Sequence, residues 1–128
     1  MAKRLVDSDI LIDHLNDRLR EADRLVSQAR SGQLLVAMIS RFEVLAGARG
    51  DLQFVRMFRF LRGFSQIPFD APAADAAARI DAALRADGMR IPTADTLIAG
   101  IAVSRGLPLV TRNRRHFERV PGLIVEDL

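Results

Sequence analysis

Three acids in this chain stand where a carboxylate calls for a reason. Asp7 lies in RLVDSDILIDHL, Glu43 in ISRFEVLAGAR and Asp95 in IPTADTLIAGIAVSRGLPLVTRN. Each belongs to an otherwise apolar segment, at a point where a strand should turn into a helix or a helix should begin. Two carboxylates ~4 Å apart repel by ~4 kcal/mol at an effective dielectric of about 20. Unless something neutralises them, one must take up a proton. A divalent cation removes the conflict, and an all-oxygen donor set favours Mg²⁺ or Mn²⁺ over Zn²⁺. If the fold gathers Asp7, Glu43 and Asp95, they form a hard-cation site.

Each acid also has an ordinary structural explanation. Ser40-Arg41-Phe42-Glu43 reads as a capping box, in which Glu43 would bond back to the Ser40 N–H. Thr93 reads as an N-cap, which leaves Asp95 complementing the dipole of its helix. Asp7 or Ser8 can cap a helix that begins near Asp9. Asp9 and Asp13 are further candidates one helical turn apart; Asp9 is close enough to support a site, whereas Asp13 reads as solvated. His14 reads as a surface residue at the end of the same helix. Beyond them, Thr111-Arg112-Asn113-Arg114-Arg115-His116 joins a basic cluster to a histidine. Arg112, Arg114 and Arg115 are either a solvated face or a phosphate-binding patch. His116 is either a general base, an RNA contact or a stabilising loop residue.

The elements that must position these residues follow from apolar patterning. Arg4 to Val6, Leu34 to Ile39, Ile67 to Phe69, Leu107 to Thr111 and Leu123 to Val125 are short apolar runs of strand type. Helical spacing runs through Ile10 to Leu15 and Leu19 to Ala29, and Gly32 is a stop signal. Further helices are expected from Ser40 to Ala48, Leu52 to Phe64, Ala73 to Ala86 and Thr93 to Ser104. The Ala-rich stretch from Asp70 to Leu84 reads as helix because alanine is the best helix former. Leu52 to Phe64 is apolar around much of its circumference, so it is either deeply buried or an interface. Strands alternating with helices, and apolar on both faces, imply a parallel sheet covered by helices. Ligands bind such sheets at the carboxyl ends of the strands. Asp7 follows the first strand there, and Glu43 falls in the first turn of the helix after the second. The tight Arg105-Gly106 turn makes the Thr93 helix antiparallel to the strand that follows it, which brings Asp95, Thr111 and Asn113 to the same edge.

Composition sets the outer limits. With 128 residues the chain is one domain with a real core. Apolar residues make up 49% of it, an ordinary globular share. No apolar run approaches the ~20 residues of a membrane span, and no signal-peptide pattern opens the chain. The absence of cysteine excludes disulfides and thiolate metal sites, and the cytoplasm is the expected compartment. The net charge of +3 is weak support for a nucleic-acid partner. Nearly all the basic residues are arginine, which suits bidentate phosphate binding but equally reflects a GC-rich genome. With no tyrosine or tryptophan, an aromatic stacking platform for single strands is not expected.

VDSDILID, SRFEVLAGA and ADTLIAGIAVSRGLPLVTRNRRHF, in this order and at this spacing, resemble the PIN domain, and more narrowly the VapC-type toxins of bacterial toxin–antitoxin pairs. The likeness runs from Leu5 to about Val125. It implies an α/β fold: a PIN-like three-layer α/β/α sandwich with a five-stranded parallel sheet, in a single domain over residues 1–128. It implies a Mg²⁺-dependent (or Mn²⁺-dependent) endoribonuclease whose acids fall on Asp7, Glu43 and Asp95, with Asp9 close to the metal. The family's fourth, variable acidic position has Asn113 and His116 here; Thr111 and Asn113 would orient water or phosphate in its place, and Arg112, Arg114 or Arg115 would hold the RNA backbone. It further implies a cognate antitoxin partner and a homodimer, or a hetero-oligomer with the antitoxin, for which Leu52 to Phe64 is a candidate surface. The alternative is a catalytically weak module that keeps the fold and binds RNA or regulates.

Overall fold

The computed structural model describes residues 2–128. Five parallel strands form one sheet: β1 (Arg4–Val6), β2 (Leu34–Ala37), β3 (Ser65–Ile67), β4 (Leu109–Val110) and β5 (Val125–Glu126), in the order β3-β2-β1-β4-β5. The helices are α1 (Ser8–Leu15), α2 (Ala22–Arg30), α3 (Met38–Ala46), α4 (Asp51–Leu61), α5 (Ala71–Ala86), α6 (Thr93–Arg105) and α7 (Arg114–Phe117). Successive residues of a strand face opposite sides, and the chain uses both. Val6, Leu34, Val36 and Val110 pack with α1 to α4, while Leu5, Leu35, Ala37 and Leu109 pack with α5, α6 and Phe117 of α7. Two apolar cores on one sheet make the expected three layers. No helix among the described residues is long and apolar enough to cross a membrane.

Several boundaries differ from the sequence reading. An apolar run does not say by itself where strand ends and helix begins. Met38 and Ile39 belong to α3, not to β2, so Ser40 lies inside the helix and the expected capping box does not exist. Ala37 is the N-cap and supplies no side-chain bond. Similarly Pro92, not Thr93, caps α6, and β3 begins at Ser65, two residues before the expected start. The short helix α7 was not anticipated, because Arg114 to Phe117 holds too few apolar residues for a period to show.

The strand order reverses direction between β1 and β4, since the chain leaves β1 toward β2 and leaves β4 toward β5. Such a switch opens a crevice at the carboxyl ends of the two central strands. A second feature brings a helix to that crevice. Gly106 ends α6 in the left-handed conformation at φ 64°, and the Leu107 N–H returns to Ala102 O at 2.9 Å. The chain therefore doubles back, and the first turn of α6 lies at the far end of β4. Helix α6 in turn lies directly on α5. A Cβ at Gly100 would stand 2.6 Å from Ala73 O and 2.7 Å from the Ala77 Cβ. Gly100→Val is expected to force α5 and α6 apart, lowering stability by ~1–3 kcal/mol; a denaturant melt checks the size, and an unchanged midpoint would refute the close-packing argument.

Candidate active site

Asp7 follows the last residue of β1 and caps α1. Its extended backbone lets Oδ1 accept the Ser8 N–H at 2.8 Å, while its own N–H donates to Val110 O at 2.9 Å. Thr111, the first residue after β4, donates its hydroxyl to Asp7 Oδ2 at 2.8 Å. The Asn113 N–H donates to the same Thr111 oxygen at 3.0 Å, which turns the Thr111 proton toward Asp7. Asp7 is 3% exposed and Thr111 is 1% exposed. Thr111 thus orients the acid and does not face solvent.

Glu43 lies in the second turn of α3, not in the first. Its Oε1 accepts the Ser8 hydroxyl at 2.9 Å, while Ser40 Oγ is buried without a partner. Asp95, in the first turn of α6, meets His116 Nδ1 at 2.8 Å through Oδ2. The same ring nitrogen meets the Asn113 side-chain amide at 2.8 Å. One nitrogen cannot donate to Asp95 and accept from an NH₂ group together; an Asn113 amide turned oxygen-first lets a single Nδ1–H serve both. Asp9 accepts the Arg112 N–H at 3.2 Å through Oδ2, and its Oδ1 is buried with no partner. Ser8 is the residue the sequence undervalued: it holds both Asp7 and Glu43, and beforehand it read only as a cap.

The flanking residues divide. Asp13 is half-buried and paired with Arg112 at 2.9 Å, so it is not the solvated acid expected. Arg114 is held by Asp127 at 3.0 Å and by Glu118 at 3.5 Å. Of the three arginines after Thr111, only Arg115 is exposed without an acidic partner among the described residues. His14 does not sit on the surface: it is half-buried and stacks on Phe60 with ring centroids 5.0 Å apart.

The acids disturb one another. Burial, then the charges of Asp9 and Asp95, push the Asp7 carboxyl up to about 8, against the opposing bonds from Thr111 and Ser8. Asp9 is raised, chiefly by burial. Glu43 is raised by burial and then by the charges of Asp95 and Asp9. Among the described residues, no three acidic or histidine side chains stand close enough to grip a metal ion as placed. The donor set still fits a hard cation. It is all oxygen, three of its members resist ionisation, and Asp9 presents an unpartnered buried carboxylate oxygen.

The consequence for stability has a definite sign. The folded chain holds the Asp7 proton more tightly than the unfolded chain, whose carboxyl titrates near 3.8. The Asp7 contribution to stability is therefore full below pH ~4 and is lost as pH rises toward ~8. At pH 8, without divalent cations, Asp7→Asn is expected to raise the thermal midpoint by ~5 °C or more. Mg²⁺ is expected to raise the midpoint of the unaltered chain and to leave that of Asp7→Asn in place. A lower midpoint for Asp7→Asn would show that the carboxylate is not under strain.

The chain as a whole is similar to known proteins. The PIN domain family model matches residues 4–123. The chain is 33% identical to the tRNA(fMet)-specific endonuclease VapC of Shigella flexneri, over 99% of this chain and 98% of that protein. It is 34% identical to ribonuclease VapC10 of Mycobacterium tuberculosis, over 88% of this chain and 84% of that one. Among solved structures, a chain of the DNA-bound VapBC complex of Salmonella typhimurium superposes with a TM-score of 0.87 at 30% identity, covering 99% of this chain and 98% of that one.

Proposed function

The chain belongs to the PIN-domain family, in its VapC branch, and from that premise we propose that it is an endoribonuclease acting as the toxin of a toxin–antitoxin pair. The observation that carries the reading is the convergence of Asp7, Asp9, Glu43 and Asp95 on one sheet edge, where three of the four carboxyls are held above their ordinary range. A structural role gives no account of buried acids that raise one another's proton affinity. A phosphodiester-cleaving site does.

Asp7, Asp95 and Glu43 would hold Mg²⁺, or Mn²⁺, with Asp9 in support. Bound there, the cation would supply Lewis acidity, offsetting the charge that grows on the phosphoryl oxygens and acidifying water toward neutral pH. The chain's own residues set the geometry. Ser8 and Thr111 fix both oxygens of Asp7 through bonds of 2.8 Å. His116 holds Asp95 through Nδ1, a ring nitrogen that the Asn113 side chain also meets, so the fourth corner of the site positions an acid instead of adding one. Arg115 is the cation of the Arg112 to Arg115 cluster best placed to meet a strand of RNA. Water would attack phosphorus and the bond to the 3′ oxygen would break, leaving a 5′-phosphate and a 3′-hydroxyl; the ribose 2′-hydroxyl takes no part.

The antitoxin partner and the dimer belong to the same proposal. Their support is the apolar surface on α3 and α4, where Phe42 is 70% exposed and Leu52 is 88% exposed.

The test is RNA cleavage by the purified chain with Mg²⁺. Activity should vanish with chelator and fall by ~10³-fold or more in Asp7→Asn and Asp95→Ala. Products carrying 2′,3′-cyclic phosphate, or full activity in Asp95→Ala, would sink the mechanism. Folded protein with no cleavage of any RNA would favour a binding module that keeps the fold. His116→Ala should lower kcat by ~10-fold while leaving RNA affinity intact, because it removes the partner that holds Asp95; an unchanged kcat would show that Asp95 needs no holder.

A further inference from the structure

A cavity of about 410 Å³ opens beside Glu43, between α1 on one side and α3 with the start of α4 on the other. That is the size of a small-ligand site, for which ~300–1,000 Å³ is usual. Ile12, 37% exposed, supplies the accessible apolar surface within it, and Val44 and Met57 lie buried at its floor. Around them stand two amides, Asn16 and Gln53, and two guanidinium groups, Arg18 and Arg49. Glu43 is the only acid among the lining residues, and it belongs to the catalytic edge.

The polar groups are placed by the backbone. Asn16 ends α1, and Asp17 takes the left-handed conformation at φ 56°. This reverses the chain, and the Arg18 N–H donates back to Asp13 O at 2.8 Å. Across the cavity, the Arg49 N–H donates to Gln53 Oε1. That bond fixes the Gln53 side chain and leaves its amide nitrogen as a donor. Among the described residues neither Arg18 nor Arg49 has an ion-pair partner, in contrast to Arg112 and Arg114.

We propose that this cavity takes one nucleotide of the RNA strand next to the scissile phosphate, with the base against Ile12, its edge read by Asn16 and Gln53, and its phosphates met by Arg18 and Arg49. The inference rests on the ribonuclease reading and deepens it by assigning a specificity subsite. Three properties favour RNA over a protein segment. The unpaired charge is positive and guanidinium, which suits phosphate. The amides offer the paired donor and acceptor that a base edge requires. The cavity is continuous with the catalytic edge through Glu43, so a strand crossing the acids would enter it.

Binding and cleavage can be separated. The probes are fluorescent ten-nucleotide homopolymers of A, C, G and U, titrated in chelator so that nothing is cut. Arg18→Ala and Arg49→Ala should each weaken all four by about tenfold and flatten the salt dependence by ~0.7 in slope. Asn16→Ala and Gln53→Ala should change the ranking of the four RNAs more than the mean affinity. Arg79→Ala, on the opposite layer, serves as the charge control and should change neither. Unchanged affinity, slope and ranking in all four cavity variants would overturn the subsite. So would variants that leave RNA alone but weaken binding of a glutamate-rich amphipathic peptide, because the cavity would then receive protein. Failure of the ribonuclease reading shows separately, as absence of Mg²⁺-dependent cleavage in the unaltered chain.

Discussion

The Asp7 carboxyl is the point on which the rest of the molecule turns. It closes the central strand, caps the first helix and ties β1 to the residue after β4. A carboxyl so buried is costly as an anion, and its neighbours are other acids. Among the described residues no arginine or lysine pairs with it: Arg112, whose backbone N–H meets Asp9, turns its guanidinium to Asp13. The chain thus holds a local conflict between charge and burial where its chemistry would occur. Conflicts of this kind are expected at functional sites and seldom elsewhere.

The sheet order explains how four distant segments share that point. Because β1 and β4 are adjacent while their onward connections run in opposite directions, the crevice between them receives Asp7 from one strand and Thr111 from the other. Glu43 enters because α3 begins without a loop at the end of β2. Asp95 enters because Gly106 reverses the chain after α6 and because Gly100 lets α6 lie against α5. A methyl group at the α5–α6 contact, remote from the acids, would therefore tilt the helix that carries one of them.

Charge is distributed with the same economy. Arg112 and Arg114 are engaged with Asp13, Asp127 and Glu118, so they brace the structure around the acids. Arg18, Arg49 and Arg115 are exposed and without acidic partners among the described residues. Positive charge thus flanks the acidic edge on both sides, which suits a polyanion laid across it. The apolar face of α3 and α4 is a separate surface. Phe42, Leu52, Phe54 and Val55 project outward there, and only Met57 and Leu61 of α4 join the core. Along Leu52 to Phe64 the two faces of the segment divide: Met57, Leu61 and Phe64 join the core, Phe60 packs against it, and Leu52, Phe54, Val55 and Phe58 stay exposed.

The sequence by itself determined the three-layer class, the parallel sheet and the edge at which Asp7, Glu43 and Asp95 meet. Alternating apolar runs and the tight Arg105-Gly106 turn are local signals, and they suffice for element type and direction. Only the tertiary structure decided what each polar group bonds. Ser40 and Glu43 matched a capping box by spacing, yet the helix starts two residues earlier and Ser8, 35 positions away, takes Glu43. Thr111 and Asn113 read as groups facing water or phosphate; in the fold Thr111 steadies Asp7 across 104 positions, which no local pattern encodes, and Asn113 meets the His116 ring three residues on. The cavity beside Glu43 was equally invisible, because Asn16 and Gln53 are unremarkable until α1 and α4 are packed. Periodicity records which face of an element is buried, whereas the partner of a side chain depends on elements that meet only when the chain has folded.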